Sequence, residues 1–135
     1  MTKLRYLVDT NIWLERLLNQ DRANEVALFL HQIPPERLMM SDFTFHSIGV
    51  ILSRCQAPET LLRFTQDVLV DGGVALVGLA PNDTPRLVAV MAQFRLDFDD
   101  AYQYVVAEKY GAEIISFDAD FDRTEGGRKT PLQVM

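Results

Sequence analysis

The residue types in this chain that can do chemistry are carboxylates, and they are unevenly placed. Asp97, Asp99, Asp100, Asp118, Asp120 and Asp122 fall within 26 residues, and Asp9 stands apart near the start. Nineteen acids against 13 bases leave a formal charge of −6, the wrong sign for a protein that simply coats nucleic acid. Such clustering marks either a solvated loop surface or a cation site. Two unit charges about 4 Å apart repel by roughly 4 kcal/mol at an effective dielectric near 20, so carboxylates gathered in one place call for a cation among them. Oxygen-only ligands favour a hard cation such as Mg²⁺ or Mn²⁺. One or two such ions activate water and stabilise in-line displacement at phosphorus.

The elements that must bring these acids together follow from the periodicity. Residues 4–8 form a short apolar run suited to a buried strand ending at Asp9. Helical spacing begins at Thr10 and resumes over about 22–32, where Pro34-Pro35 stops it. A short strand at 38–40 leads through Ser41-Asp42, an N-cap signal, into a helix to about Cys55. Pro58-Glu59 opens a helix that Gly72-Gly73 closes, and residues 74–77 read as a strand. Helices are expected from Pro81 to Leu96 and from an Asp97 or Asp99 cap to Tyr110, with Gly111 as stop. Residues 113–117 form a strand into an acidic turn, and 132–134 a last short strand. Strands alternating with helices predict an α/β fold with a mainly parallel sheet, in one domain over 1–135.

In such sheets ligands bind beyond the carboxyl ends of the strands, where Asp9 and Asp118 both fall. Each acid also has a plain structural reading. Asp9 and Asp97 suit helix caps, acids at 99–100 suit a helix dipole, and the run from Asp118 to Asp122 suits a wet turn. Taken together, Asp9, Asp100 and Asp118 come from separate segments that converge on one edge of the sheet.

Leu7-Val8-Asp9-Thr10-Asn11-Ile12-Trp13-Leu14 resembles the opening of PIN-domain proteins, the class that includes VapC-type toxins. The resemblance continues at Asp99-Asp100-Ala101, at Ala107-Glu108-Lys109-Tyr110-Gly111-Ala112, and at Ile114-Ile115-Ser116-Phe117-Asp118-Ala119-Asp120-Phe121. It implies a three-layer α/β/α fold, a Mg²⁺- or Mn²⁺-dependent endoribonuclease, a homodimer, and an antitoxin as partner of a toxin. It places metal and catalytic roles on Asp9, Asp100 and Asp118, with Asp122 or Asp120 supplementing the last. Thr10, Asn11 and Ser116 are the supporting residues it implies.

The family's second acid is absent. Ser41-Asp42-Phe43-Thr44-Phe45-His46-Ser47 matches the approach, but Ser47 stands where a Glu is expected. His46 takes its place only if the register shifts by one, because helix neighbours point about 100° apart. Otherwise His46 is a packed or exposed helix residue, within pairing distance of Asp42 at i,i+4. Three acids still hold one ion, so the resemblance leaves either an active ribonuclease or a weakened module that binds protein or RNA.

Arg123, Arg128 and Lys129, around Gly126-Gly127, form a basic loop able to hold an RNA backbone. Trp13, Phe43, Phe45, Phe94 and Tyr104 fall on helical spacings and are read as core or dimer packing. Cys55 is the only cysteine, which excludes an internal disulfide. No apolar run approaches a bilayer span and the residues from Met1 to Arg5 do not open a leader, so a soluble, cytoplasmic protein is expected. A phosphotransfer receiver or a haloacid-dehalogenase-like phosphatase would need acid pairs that are not present, the latter an Asp-x-Asp where Asp9-Thr10-Asn11 stands.

Overall fold

The computed structural model of the protein describes residues 4–135; Met1, Thr2 and Lys3, read above as part of no leader, lie outside them. Four strands, β1 (Arg5–Val8), β2 (Leu38–Ser41), β3 (Ala75–Val77) and β4 (Ala112–Ile115), form one sheet in the order β3-β2-β1-β4. All three pairings are parallel, with Leu7 beside Met39 and Ile114, and Met40 beside Leu76. The helices are α1 (Thr10–Leu17), α2 (Ala23–Gln32), α3 (Asp42–Arg54), α4 (Pro58–Phe64), α5 (Thr84–Phe94), α6 (Phe98–Tyr110) and α7 (Pro131–Val134).

Side chains alternate across a strand, and the two faces of this sheet build two separate cores. Tyr6, Val8, Leu38, Met40 and Ile115 meet Ile12 and Trp13 of α1, Val26 and Phe29 of α2, Ile48 of α3 and Phe64 of α4. Leu7, Met39 and Ile114 meet Leu87 and Val90 of α5 and Tyr104 to Ala107 of α6. The result is the three-layer α/β/α sandwich. Each fully buried side chain of this size contributes about 1.5–3 kcal/mol. Trp13 adds an edge-on contact with Phe64, centroids 5.5 Å apart, and donates from Nε1 to the Val8 carbonyl.

Several boundaries differ from expectation: α5 begins at Thr84, after a 3₁₀ turn over Pro81–Asp83, and β4 ends at Ile115. The segment after α4 is not a continued α-helix. Residues Thr65–Val70 widen into π geometry, and the Asp71 amide donates to the Gln66 carbonyl. Gly72 fits beneath that turn because a Cβ there would lie 2.1 Å from the Asp67 carbonyl oxygen. α5 ends at Phe94, with Arg95 in the left-handed region, rather than reaching Leu96. The tail is a turn of helix, not a strand: Pro131 occupies the first turn and Gln133 Oε1 accepts from the Thr130 amide. Among the described residues no helix is long and apolar enough to cross a membrane.

Candidate metal centre

In the order β3-β2-β1-β4 the chain moves from β1 to β2 on one side and later returns to place β4 on the other. The carboxyl ends of β1 and β4 therefore flank the reversal, where an open sheet leaves a crevice. Asp9 follows β1 directly and caps α1, its amide donating to the Ile115 carbonyl at 2.9 Å. Its side chain is buried and receives four donors. Thr10 N at 2.8 Å and Gln103 Nε2 at 2.9 Å approach Oδ1, and Ser116 Oγ at 2.7 Å and Asn11 Nδ2 at 3.4 Å approach Oδ2. Burial nevertheless pushes the Asp9 carboxyl up; its hydrogen bonds offset this in part, and the Asp118 charge adds to it.

Asp118 begins the turn after β4. Its amide donates to Ser116 Oγ, and its Oδ1 accepts from the Asp120 amide, both at 2.9 Å. Asn11 closes the same corner, donating to Ser116 Oγ at 3.2 Å and accepting the Phe117 amide at 3.2 Å. Asp100 enters from a third element. Asp97 caps α6 by accepting the Asp100 amide at 3.0 Å, which leaves the Asp100 carboxylate in the first turn. Carboxylate oxygens of Asp100, Asp118 and Asp120 lie within 4.8 Å of one another. The Asp100 carboxyl is pushed from 3.8 up to about 7, first by burial, then by the charges of Asp118, Asp97, Asp9 and Asp120.

These acids share an open cleft of about 400 Å³ in which Asp9, Asp97 and Asp99 also take part and which, among the described residues, no lysine or arginine lines. The donor set is all oxygen, close, and strained by its own charge. That fits a hard divalent cation, whose charge would favour the Asp100 anion that burial and the neighbouring acids now disfavour.

The other sequence-derived candidates divide. Thr10 lies in the cleft and shares a 2.9 Å hydrogen bond with Thr44. Ser47 faces the cleft, whereas His46 is exposed and borders an adjoining hollow with Val50 and Arg54. The register shift that would have made His46 a ligand does not occur. Nor does His46 pair with Asp42, whose Oδ1 instead accepts the Tyr102 hydroxyl at 2.8 Å. Asp122 is turned to Arg128 at 3.2 Å, so Asp120 and not Asp122 joins the cluster.

The basic loop is committed elsewhere. Arg123 donates to the Phe94 and Arg95 carbonyls and pairs with Asp120. Arg128 reaches Asp122 and the Ser116 carbonyl, and Lys129 pairs with Glu113 at 2.7 Å. Arg123 and Arg128 thereby pin the acidic turn, and Lys129 is paired on β4. Trp13, Phe94 and Tyr104 are core residues and Phe45 packs against the core, as expected, but Phe43 lines the cleft.

Ser41 caps α3 as expected, but Gln103 and the link it makes from Ser41 and Thr44 to Asp9 escaped sequence reasoning. The Gln103 amide group donates to Asp9 and, at 2.8 Å, to Thr44 Oγ1, while its carbonyl accepts the Ser41 hydroxyl. Ser41 Oγ accepts the Thr44 amide in turn, so one buried network joins β1, β2, α3 and α6 beneath Asp9. The available signal was a lone Gln inside the apolar run Tyr102 to Ala107, three residues after Asp100.

The same architecture recurs in solved structures. A toxin–antitoxin complex from Klebsiella pneumoniae superposes with a TM-score of 0.75 at 23% identity, covering 93% of this chain and 97% of that one. The sarcin-ricin loop cleaving toxin VapC20 of Mycobacterium tuberculosis gives 0.73 at 18%, covering 87% and 92%. FitAB bound to a DNA fragment gives 0.81 at 15%, covering 93% and 94%. At these identities the likeness is one of fold. No sequence among curated proteins matches the chain. The PIN domain profile matches residues 6–127, nearly the whole length, and PIN domains are generally nucleases. The chain belongs to the PIN-domain family.

Proposed function

We propose that the protein is a divalent-metal-dependent endoribonuclease and the toxin of a toxin–antitoxin pair, acting in the cytoplasm as a homodimer. The observation that carries this reading is the convergence of the Asp100, Asp118 and Asp120 carboxylates at the carboxyl ends of β1 and β4. These three would hold Mg²⁺ or Mn²⁺. When bound, the ion supplies Lewis-acid activation of water and offsets charge on the phosphodiester.

The chain's own residues set the geometry. Ser116 and Asn11 hold the Asp118 turn against α1, and Asp97 holds the first turn of α6 so that Asp100 faces them. Asp9 adds negative charge behind the cluster while its oxygens stay committed to four donors, so it acts on the ion through the field and through Ser116. Ser47, in the cleft where the family has an acid, offers a hydroxyl that orients water without adding charge. The antitoxin and RNA partners follow from the family and from what the toxin-named neighbours do.

A second reading, a weakened module that binds RNA or protein without turnover, is favoured by the same Ser47 and by the saturation of Asp9. Titration of Mn²⁺ into the metal-free protein, with Asp118→Asn as control, is paired with RNA cleavage in chelator and after Mn²⁺ is restored. Saturable binding and cleavage, both lost in the variant, are expected. Binding without cleavage across a broad RNA pool would favour the second reading. A folded wild-type chain that binds no cation would refute the metal site itself.

A further inference from the structure

The acidic cleft has a neighbour of opposite character. On the α3 side a second open hollow of about 320 Å³ is lined by His46, Ser47, Val50, Ile51 and Arg54. Ser47 and Ile51 line the cleft as well, so the two hollows meet along that helix. All five residues belong to α3, at spacings that 3.6 residues per turn place on one side.

Among the described residues no acid lines this second hollow. Its charge comes from Arg54, in the last turn of α3, and its other polar groups are the His46 imidazole and the Ser47 hydroxyl. His46 and Arg54 are both exposed, and among the described residues neither has an ion-pair partner. Asp42, one turn before His46, is engaged: its Oδ1 accepts the Tyr102 hydroxyl and the Phe43 amide. Within the cleft a polyanion meets Asp9, Asp97 and Asp99 beside the cluster and no basic residue. The wall at α3 leads instead to an unpaired guanidinium. A Glu at position 47 would set a negative charge on that crossing, whereas Ser47 offers a hydroxyl that can donate to a phosphate oxygen. The Arg54 fork matches a phosphate in shape as well as charge.

We propose that His46 and Arg54 form a second phosphate subsite, outside the acidic cleft, which holds the backbone of a bound RNA beyond its reacting phosphate and is reached across Ser47. The inference rests on the nuclease reading above. Charge and continuity decide for a phosphodiester backbone over an apolar segment of a second copy. The hollow carries a cation without an acid, and it opens directly into the cleft where the strand would react. The hydroxyl at position 47 thereby serves the path of the strand.

The test is fluorescence anisotropy of a labelled RNA oligonucleotide of mixed sequence, measured over a range of salt concentrations at fixed Ca²⁺. Wild type is compared with Arg54→Gln, Arg54→Lys, His46→Ala and Arg63→Gln, and sedimentation is followed alongside. Arg63→Gln removes the same charge from a separate hollow between α1, α2 and α4. One phosphate contact on a single strand adds about 0.7 to the slope of log affinity against log salt, or about fivefold at 0.1 M. Arg54→Gln is therefore expected to bind about fivefold more weakly at that salt, with a slope shallower by about 0.7. His46→Ala should also weaken binding, while Arg54→Lys and Arg63→Gln should stay near wild type in affinity and slope. Wild-type affinity in Arg54→Gln or His46→Ala, or an equal loss in Arg63→Gln, would overturn the subsite and leave the nuclease reading standing. Loss of self-association in Arg54→Gln with RNA affinity intact would overturn it too, and assign this side of α3 to contact between copies. A folded, cation-loaded wild type that binds no RNA at any salt would overturn the nuclease reading, and the subsite with it.

Discussion

Replacing Asp100 by Asn in the metal-free protein is expected to stabilise the fold near neutral pH and to leave it unchanged near pH 4. In the folded chain the Asp100 carboxyl titrates at about 7 instead of 3.8, because burial and the charges of Asp118, Asp97, Asp9 and Asp120 all disfavour its anion. Between those values the folded state holds a proton that the unfolded chain has released. Stability therefore falls as pH rises through that window. One pH unit of displacement is worth about 1.4 kcal/mol, which sets a ceiling of about 4 kcal/mol. Asp100 is partly open to solvent, and screening reduces the contribution to about 1–2 kcal/mol. For a chain of this length that corresponds to a rise of roughly 3–8 °C in melting temperature for the Asn variant at neutral pH. Thermal melting in chelator at acid and neutral pH reads the difference directly. Saturating Mn²⁺ should reverse the order, since the wild type gains binding free energy that the variant lacks. An Asn variant no more stable than wild type at neutral pH, or equally stabilised at both pH values, would show that burial and the neighbouring acids do not disfavour the Asp100 anion as the geometry requires.

Ser47→Glu places a carboxylate on the cleft wall where the family has one, and is expected to tighten Mn²⁺ binding by about tenfold while lowering metal-free stability at neutral pH. Calorimetric titration checks it, and unchanged affinity would mean that position 47 does not face the ion. Gln103→Leu removes the donor to Asp9 and Thr44 and the acceptor for Ser41, leaving buried polar atoms unpaired. A loss of about 2–3 kcal/mol is expected in urea unfolding, and an unchanged midpoint would mean that the network is dispensable.

Much of the frame was legible because it is local. A short apolar run ending at Asp9, helical spacing from Thr10, Pro34-Pro35 as a stop and Asp97 as a cap each report on backbone geometry within a few residues. Asp9 and Asp118 could be placed at strand ends for the same reason. Local signals failed where two geometries share one pattern. Residues 132–134 are apolar enough for a strand, yet Pro131 and the Gln133 bond to the Thr130 amide start a helix. The run after Pro58 has helical spacing throughout, yet Gly72 lets it close on the wider π turn.

The sheet, its two apolar faces and the strand-end position of the first and last acids were thus inherent in the order of residue types, because hydrophobic period and caps act over one turn or one pleat. Partnership was not. Gln103 meets Asp9 across 94 positions, and Asn11 meets Ser116 across 105, only once β4 has paired beside β1. The same closure decides that Ser47 and not His46 looks into the cleft, and that Asp120 and not Asp122 joins Asp100. It also ties Arg123, Arg128 and Lys129 to carboxylates and carbonyls, while Phe98 is left to solvent. Charge and hydrogen bonding act through space, and a linear pattern holds no record of which distant groups will share it until the sheet order brings them together.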